Sequence, residues 1–350
     1  LYVIIIDYFT DSFKINSNFW NRFLWLYTIA NYAMFISFIW QGYSPLSETI
    51  EIFTVLLSYV FAWKIFKSIP SAKQQLISTR FLKAGTIFLI ISSLGTYALA
   101  YLFITRDIHE YWSHNAVYWY LHFQYNGWFT FAIIGFLIQR LEQSNFYNKL
   151  IAYRIYLLLV ITCVPAYLLA ALWHQRPVWV TVTNIISVLL QTASLYYLWK
   201  LLWTNRHSVY DNLPRISRWL LSLSISAFVI KVLLQFFSAH PLIGQLAYGY
   251  RSVVIGYLHL VFLAFVTLFM LGLLSAKKII PLGSKTARWG LIAFTAGVFI
   301  NELLLVLQGI FSIMETSEQY LSKYLFYNTL LLLIASISIF FSSLKRGTTD

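Results

Sequence analysis

Charge is what this 350-residue sequence has least of: 11% of it is Asp, Glu, Lys or Arg, and only 12 residues are acidic. A water-facing domain carries more than twice that share of charge, so the class of ordinary soluble proteins is excluded. Cysteine is scarcer still. The single Cys163 lies in an apolar stretch, which rules out a disulfide framework or a thiolate metal site and reads as a buried structural thiol. No signal peptide, with its basic, apolar and small-residue regions in series, is expected, and no Walker loop, dinucleotide fingerprint, HExxH or hydrolase elbow stands in a usable context. The net charge of +13 comes with no DNA- or RNA-binding signature, so nucleic acid is not an expected partner.

What is abundant is apolar. Hydrophobic residues make up 59% of the chain and aromatics 19%. Apolar runs of about 20 residues recur along it, the length that crosses ~30 Å of hydrocarbon at 1.5 Å per residue. The alternating ten-residue segments of a β-barrel do not occur. The expected fold is therefore all-α, a polytopic membrane bundle of about ten helices over 20–40, 47–66, 82–104, 114–138, 151–173, 178–200, 217–238, 250–275, 288–311 and 322–343. One membrane domain is expected: residues 1–17 as the tail of an earlier helix plus a cytoplasmic segment, 18–343 as the bundle, and 344–350 as a cytoplasmic tail. Because LYVIII reads as such a tail, further helices are expected ahead of residue 1. No clear internal repeat stands out.

Lys and Arg set the orientation. Twenty fall in alternate connections, from Lys14 and Arg22 to Lys345 and Arg346, against only Arg106, Arg176, Arg251 and Lys323 on the other side. By the positive-inside rule the basic connections and the C-terminus face the cytoplasm. Trp40, Trp112, Trp199, Trp219 and Trp289 sit where an aromatic belt belongs.

On that topology the polar residues form a layer in the outer half of the bilayer. His122 and His259 each lie about eight residues, or ~12 Å, inside the outer boundary. Lys231 and Glu302 reach a similar depth, and a charge there needs a partner or a wet cavity, since burying it alone costs ~2.5 kcal/mol or more. Gln235, Asn301 and Gln308 extend the layer. His114, Tyr118, His122 and Asn126 recur at four-residue spacing and share one helix face, while Asn184, Ser187, Gln191 and Ser194 make a second stripe. These residue types admit two kinds of chemistry. Neutral imidazoles at His122 and His259, with His114 as a further candidate, can ligate haem iron or copper, and Arg251 can hold a propionate. Alternatively Lys231, Glu302, Gln235, Asn126 and Tyr118 can line a proton or ion path, or the histidines can simply bond across helices.

The segments YLHFQYNGWFTFAIIGFL and RSVVIGYLHLVFLAFVTLFMLGLL resemble the His-bearing helices of the haem–copper oxidase and nitric oxide reductase catalytic-subunit superfamily, and related bacterial haem- and copper-containing membrane proteins of the nitric oxide response. The resemblance implies a multi-pass bacterial inner-membrane protein holding haem on His122 and His259, in electron transfer or nitric oxide chemistry. An electron-donor protein or quinol and other membrane subunits would then be partners, besides the lipid bilayer. The chain has no His-His and no His-x-His, so the superfamily's copper site cannot be built from the residues present. Two rival readings remain: a proton-coupled small-solute transporter, and a cofactor-free structural subunit.

Overall fold

The computed structural model describes residues 1–6, 17–42, 44–105, 109–171, 177–314, 316 and 319–344. Lys14, Arg106, Arg176, Lys345 and Arg346, all used in the topology above, lie outside them. The described residues are helical throughout, with no strand. The helices are α1 (Ser17–Gln41), α2 (Pro45–Ser68), α3 (Ile77–Thr105), α4 (Glu110–His122), α5 (Thr130–Leu141), α6 (Lys149–Cys163), α7 (Val178–Thr204), α8 (Arg215–Ser238), α9 (Arg251–His259), α10 (Leu268–Ala276), α11 (Lys285–Ile313) and α12 (Gln319–Leu344). A π-helical stretch, Phe123–Phe129, joins α4 to α5 without a break, and a second, Leu260–Thr267, joins α9 to α10.

Among the described residues eight helices are long and apolar enough to cross a membrane: α1, α2, α3, α7, α8, the α9–α10 rod, α11 and α12. This is a membrane protein. The other two expected spans differ from the eight for local reasons. The α4–α5 rod is diluted by its own polar residues, and α6 stops at Cys163. Pro165 explains the stop, because it has no N–H to offer the fourth carbonyl back and its ring crowds that turn.

The chain divides into two compact units, Leu1–Gln143 with Asn148–Arg176, and Ser144–Tyr147 with Pro177–Asp350. In the first, α3 packs along α4, the π stretch and α5, and α2 packs on both α1 and α3. In the second, α8 packs along the second π stretch and α10, α7 packs on α8, and α11 lies between α9 and α12.

The two units carry the same four-helix pattern, a repeat that the sequence alone did not make plain. Tyr120-Leu121-His122 recurs as Tyr257-Leu258-His259, and at the same spacing Thr130 recurs as Thr267 and Gly135 as Gly272. Both π stretches start directly after the histidine. Each is closed by its threonine, whose hydroxyl donates to the carbonyl five residues back: Thr130 to Tyr125 at 2.6 Å, Thr267 to Phe262 at 2.8 Å. The packing repeats as well. A methyl on Gly135 would stand 3.2 Å from Phe81 Cβ, and one on Gly272 would stand 3.4 Å from Leu220 Cβ, Phe81 and Leu220 being equivalent on α3 and α8. At another matching pair, Gly85 lies against the Trp128 carbonyl where Ser224 donates to the Phe265 carbonyl at 2.6 Å. On α2 and α7, Ser58, Trp63, Lys64 and Ser68 recur as Ser194, Trp199, Lys200 and Thr204. Asn148 caps α6 through the N–H of Ile151, as Ser284 caps α11 through that of Ala287. So α2–α6 and α7–α11 are two versions of one unit.

Close helix contact in the first version depends on missing side chains. A Cβ on Gly95 would lie 2.5 Å from the Ala116 carbonyl oxygen, and one on Gly127 would enter the Phe88 ring. The Trp119 indole N–H then reaches Ile91 O at 2.8 Å across the same contact. Overpacking of this kind costs about 1–3 kcal/mol or more. Gly95→Ala and Gly127→Ala are therefore expected to lower the thermal unfolding midpoint in detergent, while Gly283→Ala, which meets nothing within 4 Å, leaves it unchanged.

Candidate functional site

The repeat places two histidines at equivalent positions, yet their surroundings differ. In the first unit Pro165 breaks α6, and Tyr167 N–H turns back to Val164 O instead of bonding Cys163 O. The freed Cys163 carbonyl is buried and takes a proton donor from another helix: His122 Nε2–H, at 2.8 Å. A carbonyl only accepts, so the proton sits on Nε2. His122 Nδ1 then accepts from the Asn126 amide at 3.2 Å, one turn along the same face. Both ring nitrogens are used, and His122 is 4% exposed, edged by Phe123 and Tyr167.

In the second unit the position of Pro165 is taken by Asn301, and α11 runs on unbroken to Ile313. No carbonyl is released there. His259 instead donates Nδ1–H to Ile255 O of its own helix at 2.8 Å, which leaves Nε2 as the lone-pair nitrogen. The two histidines thus hold opposite tautomers. His259 is half-buried.

Antiparallel contacts bring α11 to it. Ser252 meets Ser312 at 3.1 Å, a methyl on Gly309 would meet Val253 at 3.1 Å, and one on Gly256 would meet Leu305 at 3.5 Å. One more turn along both helices, the register reaches His259 on one side and Asn301 with Glu302 on the other. Asn301 is 5% exposed; neither its Nδ2 nor the buried Oε1 of Glu302 makes a well-formed hydrogen bond, and the side-chain interaction of the carboxyl is a loose one with the adjacent Asn301. The expected pairing with Lys231 therefore does not satisfy that carboxyl oxygen. Lys231 is itself buried on α8, its ammonium 5.3 Å from the Phe228 ring centroid. Along α8, Leu220 and Leu221 lie against Gly272 and Ser224 against Phe265, and the same antiparallel progression brings Lys231 to the level of His259. Gln235, also buried, follows one turn on. The second polar stripe is interior as expected: Asn184, Ser187, Gln191 and Ser194 are all buried on α7. Both amide atoms of Asn184 and Oε1 of Gln191 lack partners.

Other candidates lie apart from this layer. His114 is exposed, and its Nδ1–H donates to Glu110 O at 2.7 Å. Tyr118 is half-buried with its ring 6.3 Å from that imidazole. Arg251 is exposed at the first turn of α9, eight residues or ~12 Å of helix rise from His259. Among the described residues no group of three or more His, Cys, Asp or Glu could hold a metal ion. Glu51, half-buried within α2 and hydrogen-bonded to Thr96, is an interior carboxyl that the sequence reading passed over. The available signal was an acidic residue inside an apolar run.

No protein-family model matches this chain, and no curated protein or solved structure does.

An orphaned carbonyl in an apolar interior costs about 1–3 kcal/mol. His122→Ala is expected to cost that much in thermal unfolding, and His259→Ala, which loses only a bond within its own helix, clearly less. Pro165→Ala lets α6 continue and reclaim its carbonyls, so the double variant with His122→Ala should be less destabilised than the two single effects summed.

Proposed function

We propose that this chain is a proton-coupled carrier of a small polar solute, with Glu302 as its proton-binding carboxyl and His259 as the facing base. The observation behind this is the Glu302 oxygen. It is a buried acceptor in a membrane-crossing helix, at the register of an imidazole whose Nε2 carries the lone pair, and its carboxyl has only a loose interaction with the adjacent Asn301 amide. In hydrocarbon such groups are costly, and they characteristically mark ion, proton or solute routes. The duplicated unit supports the same reading, since many carriers are built from repeats with interrupted helices at their binding sites. Here the interruption is the π turn after each histidine, a local widening frequent at functional positions. Lys231 supplies positive charge at the same level, and the Asn184–Gln191 face gives a polar solute hydrogen-bonding groups. Counting the α4–α5 rod and α6 with its following turn as crossings makes ten. With the basic connections inside, the C-terminus is cytoplasmic, in a bacterial inner membrane.

Haem is the second reading, and one observation favours it. The Nδ1–H bond to a backbone carbonyl holds the His259 ring as a metal-bound histidine is commonly held, with Nε2 outward. His122, with both nitrogens hydrogen-bonded, would have to give up one of those bonds to serve as the second ligand. His259 would hold the iron and Arg251 a propionate; bound haem would supply electron transfer or nitric oxide chemistry.

Proteoliposomes loaded with a pH-sensitive dye separate the readings. A carrier should dissipate an imposed pH gradient faster than empty vesicles, and Glu302→Gln should slow this roughly tenfold or more. Equal rates in wild type, Glu302→Gln and empty vesicles would contradict it. In the same preparation a Soret band lost in His259→Ala but kept in His122→Ala would favour haem.

A further inference from the structure

The second unit also has a cavity of about 510 Å³ away from the polar layer, where α7 ends, the short helix Arg206–Tyr210 turns, and α8 begins. Its inner walls are Leu195, Leu198, Leu202, Ile225 and Val229, and its flank is the stacked pair Trp199 and Trp203, with centroids 6.0 Å apart. Its rim is charged and exposed: Arg206, His207, Asp211 and Arg218. Arg206 is held in place, its guanidinium 5.2 Å from the Trp203 ring and bonded to Trp203 O at 3.3 Å. Tyr210 is fixed across the turn to Ser222 at 2.7 Å. Lys200 and Arg215 stand on the same two helix ends, so this end of the two helices carries four cations and one carboxylate.

We infer that this cavity is a binding site for an anionic phospholipid, with its phosphodiester between Arg206 and Arg218 and an acyl chain along the leucine wall. The two halves of the cavity match the two halves of such a molecule. Guanidinium forks bind phosphate oxygens in a bidentate manner, and an apolar trough at the end of two membrane-crossing helices opens at the depth where acyl chains begin. Basic pockets between membrane helices take acidic headgroups for this reason. Exposed indoles beside it suit the same interfacial depth. A soluble anion would gain nothing from the apolar walls.

The test is native mass spectrometry of the full chain released from detergent, with thermal unfolding measured in parallel. The probes are phosphatidylglycerol, phosphatidylcholine of the same chains, and inorganic phosphate. Phosphatidylglycerol should be retained and should raise the midpoint, with phosphatidylcholine and inorganic phosphate doing neither. The double variant Arg206→Gln/Arg218→Gln should lower its retention on the order of tenfold. Ile225→Trp, which fills the trough but keeps every charge, should lower it as well. Lys285→Gln, a cation in another connection, should leave it unchanged. Protection by inorganic phosphate equal to that by lipid would overturn the lipid as ligand. Retention unaffected by the arginine pair or by Ile225→Trp, or lowered as much by Lys285→Gln, would overturn the cavity as the site.

Discussion

In hydrocarbon every backbone polar group must be satisfied by the protein, and much of this chain's interior follows from one place where the helix ladder cannot do it. Pro165 ends α6 early, the Cys163 carbonyl is freed, and His122 crosses from the α4–α5 rod to meet it. That bond fixes the His122 tautomer, which in turn recruits Asn126. The polar residues of YLHFQYN are there in part to close this local deficit. They need no ligand to account for them.

The second copy of the repeat shows what happens when the deficit is removed. With Asn301 where Pro165 stands, α11 keeps its carbonyls, and His259 is released from capping duty. Its ring turns to its own helix and exposes Nε2. The same turn of α11 now carries an amide and a carboxyl with open hydrogen-bonding capacity. In one copy the histidine thus bonds across helices, while in the other it bonds within its own helix.

Much of this was legible in the sequence. Apolar run length gave helices and membrane, and the charge minima left His122, His259, Lys231 and Glu302 as the interior groups. Periodicity also put Asn184, Ser187 and Gln191 on one buried face. Partners were less legible. Lys231 and Glu302 share a depth, so pairing was the natural expectation; that the antiparallel run of α9 against α11 brings His259 to the same level was not foreseen as a partner for Glu302. A register between helices distant in sequence depends on contacts such as Gly256 with Leu305, which no single-helix periodicity encodes. The repeat was hidden because its loops differ in length and its core volumes are exchanged: Phe88 with Gly127 in one copy, Ala227 with Ala264 in the other. Tyr-Leu-His with its threonine and glycine downstream, and the Trp-Lys pair of α2 and α7, survived as visible signatures.

The central proposal is that Glu302 is a proton-exchanging carboxyl at the level of His259. Infrared difference spectroscopy of the lipid-reconstituted protein, recorded across a pH titration, addresses it directly. A carboxylic C=O band that grows on acidification, shifts in deuterium oxide, weakens in His259→Ala and vanishes in Glu302→Gln is the expected result. A spectrum in which Glu302→Gln removes no titrating carboxyl band would contradict the account.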